Sequence, residues 1–248
     1  MNTKAEIKEI FEKYKRIRKD TEFSGDTEFK MILEKMEEHI PSEKPDAYLE
    51  VDNTIYGMEH FQISQYVVKK KQDFSRVAKG SQNNREKMKN DRDFDLKPSV
   101  DNLISALERN MESHSHSFEE YKTNVLKHSK NAAVEYKLII FIEDSTDSGV
   151  IVKRRDTKPI NPLELRQLAE IILKYKDDIW AVIYSFGNEI SRELTGCTVE
   201  ELQHKKEAGL LLNAEDYVPF EVEREVHVSS KDSSEDKNSV TIKLYDYL

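Results

Sequence analysis

The chain has 248 residues, enough for one large domain or two small ones around a sizeable core. It is 37% hydrophobic and 35% charged, with a net charge of -9, which argues against a surface coated with basic groups for nucleic acid but allows a local basic groove. The single cysteine, Cys197, excludes an internal disulfide framework and a cysteine zinc cluster, and no apolar run approaches the roughly 20 residues that a membrane-spanning helix needs.

Residues 4–20 carry Ile7, Ile10, Phe11, Tyr14 and Ile17 at helical spacing. This start is charged throughout and lacks an apolar signal core, so a reducing cytoplasm is the expected compartment. After the break at Ser24-Gly25-Asp26, Asp26 or Thr27 caps a second predicted helix over about 27–40, with the stripe Phe29, Ile32, Leu33, Met36, Ile40. Two strands follow, at about 46–51 and 54–63, separated by Asp52-Asn53. Residues 69–97 hold ten Lys/Arg against five Asp/Glu and read as a polar segment with a local basic excess.

Residues 99–128 give one or two helices, with Val100, Leu103, Ile104, Leu107 and Met111, then Phe118, Tyr121, Val125 and Leu126. Residues 136–144 read as a buried strand. A helix is expected over 161–178, with Asn161 at the N-cap and Pro162 at the first helical position, then a buried strand over 179–186. Thr198 and Glu201 form a capping box for a short helix over 198–209, and the tail from Val218 reads as a long-looped hairpin. Helices alternating with strands imply a sheet covered on both faces, and two adjacent early strands make it mixed. The expected organisation is an N-terminal helix (1–26), an α/β core (27–185) with an insertion at about 64–133, and a C-terminal helix and hairpin (186–248) packed on the core.

The first two strands place a carboxylate where core is expected. Asp and Asn both tolerate positive φ, so Asp52-Asn53 suits a two-residue hairpin turn that pairs Val51 with Thr54. That register puts Asp46 opposite Glu59 on one face, with Cβ atoms roughly 4.5–5.5 Å apart. Two unpaired like charges there are destabilising, and a divalent cation between them reverses the sign, because hard cations take carboxylate oxygens. The competing reading is that both acids lie on a solvated face.

Pro45-Asp46, a strand and turn, then Gly57-Met58-Glu59 resembles the signature of the PD-(D/E)XK nuclease superfamily. The resemblance covers about residues 27–185. It implies a restriction-endonuclease-like fold, a mixed β-sheet flanked by helices, built as a helix, a hairpin or three-stranded meander, a helix and a further strand. It also implies that Asp46 and Glu59 bind Mg²⁺ (or Mn²⁺) for hydrolysis of DNA phosphodiesters, in settings such as prokaryotic defence or mobile elements. A glutamate on the first core helix often joins such a site, and Glu37 is the candidate here. The chain departs from the pattern at Phe61, which stands where the family has a lysine. Lys69, Lys70, Lys71 or Lys79 then has to reach in from the next segment, with Lys79 the catalytic candidate. The same four lysines are the candidate contacts to a DNA backbone. A homodimer through the N-terminal helix or C-terminal hairpin is also compatible with the resemblance.

The alternatives are a nuclease-derived binding or regulatory module that no longer cuts, and an unrelated α/β domain. Three other features carry less. His114 and His116 lie two apart on a helix, roughly 200° around the axis, so they do not chelate together and read as solvated. His60 points to the face opposite Glu59, as does Gln62. Cys197, near a helix start but without an evident histidine partner, reads as structural.

Overall fold

The computed structural model describes residues 25–65, 67–68, 94–95, 98–129, 135–146, 150–156, 158–187, 192–220, 222–226 and 240–244. The predicted helix within 1–26 and the lysines at 69, 70, 71 and 79 lie outside them.

Side-chain caps set the helix starts. Asp26 accepts from the Phe29 N–H at 2.8 Å and opens α1 (Thr27–Glu34). Ser99 does the same for α2 (Val100–Ser115), which is followed by α3 (Phe118–Leu126). The Thr198–Glu201 capping box is formed at the start of α5 (Val199–Glu207). The helix expected over 161–178 is divided: Asn161 caps a 3₁₀ turn (Pro162–Glu164), extended backbone at Leu165 interrupts it, and α4 spans Arg166–Leu173. The helix expected over 27–40 is also shorter. It passes through a 3₁₀ turn (Met36–Glu38) into strand β1 (Ile40–Pro41), so Ile40 leaves the apolar stripe and is 50% exposed.

The central sheet has six strands in the order β1, β2 (Ala47–Val51), β3 (Thr54–Ile63), β6 (Glu135–Asp144), β8 (Ala181–Gly187), β9 (Arg192–Thr198). The first three form an antiparallel meander, β3, β6 and β8 run parallel, and β9 returns antiparallel. Hydrophobic runs in β6 and β8 are explained by burial on both faces. One face carries Phe61, Ile63, Leu138, Ile140, Ile142, Val182 and Tyr184 under α2 to α5. The other carries Tyr56, Met58, Ile139, Phe141 and Ile183 under Phe29 and Ile32 of α1. The fold is thus mixed α/β, with helices on both sides of a mixed sheet.

Strands β7 (Val150–Lys153) and β9 are additions to the sequence reading. The expected C-terminal hairpin starts later than Val218: β10 (Tyr217–Phe220) pairs with β7 instead, and the hairpin is β11 (Val222–Val226) with β12 (Val240–Leu244). A two-residue pairing joins β4 (Val67–Val68), just before the basic segment, to β5 (Phe94–Asp95), near its end. No helix among the described residues is long and apolar enough to cross a membrane.

Candidate functional site at the β2–β3 hairpin

The hairpin has the register its turn dictates. Val51 pairs with Thr54 and the ladder runs to Ala47–Met58. The turn needs positive φ only at Asp52 (φ 53°). Asp46 stands one residue before β2, where the ladder has ended. Its Oδ2 accepts from the backbone N–H of His60 at 2.8 Å, a donor that β2 no longer reaches. The side chain is thereby anchored beside Glu59.

Glu59 is 7% exposed and points to the face under α2 and α3. Its Oε1 accepts from the Tyr121 hydroxyl at 2.9 Å and lies 2.7 Å from His114 Nδ1. The His114 ring stacks on Phe61, with centroids 5.0 Å apart and planes 27° from parallel. Burial raises the Asp46 carboxyl to about 6, with the Glu59 charge adding to the effect and the His60 N–H opposing it. Burial and the Glu59 charge also push the Tyr121 phenol up, so it stays a donor.

Tyr136 completes the surround. It lies on β6 two residues before Leu138, and its hydroxyl is buried with no hydrogen-bond partner among the described residues. It crosses above Gly57: a Cβ there would lie 2.5 Å from the hydroxyl and 3.1 Å from Pro45 Cγ. Glycine at 57 is what lets this phenol approach the acid pair.

Several expected residues are elsewhere. Glu37 is exposed on the 3₁₀ turn after α1, and α1 packs against Met58 and Phe141 on the face opposite Glu59. It therefore does not join the pair, because the helix that carries it covers the wrong side of the sheet. His114 corrects the solvated reading: it is partly buried and bonded to Glu59, while His116 is exposed, as a two-residue helical offset requires. His60 and Gln62 do face away, where both approach Glu143 Oε2, at 3.2 and 2.9 Å. Burial pushes the Cys197 thiol up to about 12, in keeping with a structural role.

Sequence reasoning missed His114, Tyr121 and Tyr136 as parts of the site. A signal existed for two of them. His114 continues the stripe Leu107, Met111 at helical spacing, and Tyr121 sits within an apolar stripe where a buried hydroxyl requires a partner.

The pair fits a hard cation in chemistry. Glu59 Oε2 and Asp46 Oδ1 each lack a hydrogen bond among the described residues. Two carboxylate oxygens suit Mg²⁺ or Mn²⁺ that keeps water or substrate oxygens in its remaining positions. Among the described residues no group of three or more His, Cys, Asp or Glu is arranged to hold a metal unaided. No family model matches the chain, and comparison with curated proteins and with solved structures finds no match.

Proposed function

We propose that this chain is a divergent, metal-dependent nuclease of the PD-(D/E)XK type acting on DNA, with Asp46 and Glu59 as the cation-binding pair. The observation that carries the reading is the apposition of two carboxylates at a hairpin end where burial and mutual repulsion already raise Asp46 to about 6. The element order supports it: a helix, a three-stranded antiparallel meander, a helical pair and a further strand parallel to β3.

In this reading His60 N–H fixes Asp46, and His114 with Tyr121 fixes Glu59, so that one oxygen of each carboxylate is left to face a cation. A divalent cation bound there supplies charge stabilisation at the phosphate and lowers the pKa of a bound water. The backbone of the DNA would follow the basic 69–97 segment. A second reading, a nuclease-derived module that binds without cutting, draws on Phe61: it is 5% exposed and has no charge to offer.

The test is hydrolysis of single- and double-stranded DNA with Mg²⁺ or Mn²⁺. Metal-dependent cleavage that drops to background in Asp46→Asn and Glu59→Gln is the expected result. Cleavage retained by both variants would overturn the mechanism. Metal-dependent DNA binding without cleavage would favour the second reading.

A further inference from the structure

The residue at position 61 is a departure from the motif, yet it is built into the site. Phe61 and Glu59 share a face of β3, two residues apart, and α2 brings His114 down onto both. The imidazole rests on the Phe61 ring, and its Nδ1 approaches Glu59 Oε1 at 2.7 Å. Tyr121 donates to that same oxygen at 2.9 Å, and its own hydroxyl lies 3.3 Å from His114 Nδ1. Two side chains from two helices thus converge on one carboxylate oxygen. A carboxylate held at one oxygen has its second oxygen aimed by the first. Outer groups that orient a ligand in this way set how tightly a metal is held.

We infer that His114 is the positioning residue of the cation seat and that Phe61 is the shelf that holds its ring. The inference rests on the reading of Asp46 and Glu59 as a cation-binding pair. Glu59 and Asp46 would hold the ion through the oxygens that these hydrogen bonds leave open, and the aromatic shelf takes the place of a charged side chain at position 61. His114 acts through Nδ1 and Glu59, without touching the ion.

Calorimetric titration with Mn²⁺ alone tests this on the full chain, with thermal unfolding recorded for every variant. Asparagine carries its amide nitrogen about where histidine carries Nδ1, whereas glutamine reaches toward the Nε2 position. His114→Ala is expected to weaken Mn²⁺ roughly 10- to 100-fold. His114→Asn should restore most of that loss and His114→Gln should not. Phe61→Leu, which removes the shelf but leaves an apolar side chain, should give an intermediate loss. Two results would overturn the inference and leave the cation seat standing. One is Mn²⁺ affinity unchanged in His114→Ala while Asp46→Asn abolishes binding. The other is rescue by glutamine in preference to asparagine, which would mean that Nε2 meets the ion. Absence of Mn²⁺ binding by the unaltered chain would overturn the cation seat itself, and the inference with it. If His114→Ala does not fold, the comparison of asparagine with glutamine decides.

Discussion

Asp46 is held in a state that costs stability once it ionises. Partial burial, with the Glu59 charge beside it, pushes its carboxyl up to about 6, above the ordinary range near 3.9. A raised folded-state pKa means that the favourable contribution is present below about pH 4 and is lost as pH rises through about 6. Asp46→Asn keeps an oxygen for the His60 N–H and removes the charge. It is expected to stabilise the metal-free protein above pH 6, by on the order of 1–3 kcal/mol, with the gain vanishing below pH 4. Urea unfolding across pH 3.5–8 measures this. His39 works in the opposite direction. Burial lowers it to about 4, so its contribution is complete above about pH 6.5 and is lost as pH falls toward 4. The two offset each other in the parent chain, and Asp46→Asn should expose the His39 slope. Tyr136→Phe removes a buried hydroxyl that has no partner among the described residues. It is expected to raise stability by about 1 kcal/mol in the same assay.

At the scale of elements, the β2–β3 hairpin joins local sequence to the site. A two-residue loop allows one register, and that register was legible because Asp52-Asn53 is flanked by strands whose side chains alternate. Asp46 opposite Glu59 followed from it. His114 was not legible in the same way. Helical spacing says which face of α2 is apolar, but where that face lands on the sheet depends on how β3, β6 and two helices pack. Glu37 failed for the same reason, since the side of the sheet that α1 covers is not written in its own periodicity. The loss of helix at Leu165 and the strand at Ile40 are further cases where tertiary pairing, with Leu212 and Tyr48 respectively, overrides a local helical pattern. Gly57 tests the hairpin as an element. Gly57→Ala drives a methyl to 2.5 Å from the Tyr136 hydroxyl and is expected to cost about 1–3 kcal/mol. Tyr136→Phe in the same chain should recover only part of the loss, because the Tyr136 ring carbon Cε2 lies 2.9 Å from the same point. Thermal unfolding of the two single variants and the double variant reads the coupling.

For the whole molecule, the mixed sheet with helices on both faces was readable from alternating helical and extended patterns. The strands β7 and β9 were less so: β7 has only four residues, and β9 opens on the polar pair Arg192-Glu193 and carries Gly196 within it. What the fold achieves is to bring a hairpin, two crossover helices and a parallel strand to one patch on one side of the sheet. The proposed nuclease function requires that patch to be a cation seat. A crystal soaked in Mn²⁺ and measured at the manganese absorption edge tests it most directly. The expected result is an anomalous peak between the Glu59 and Asp46 carboxylates, with His114 Nδ1 still on Glu59 Oε1, and no such peak in Asp46→Asn. Mn²⁺ bound only elsewhere, or no peak between the two carboxylates in crystals of the unaltered chain, would contradict it.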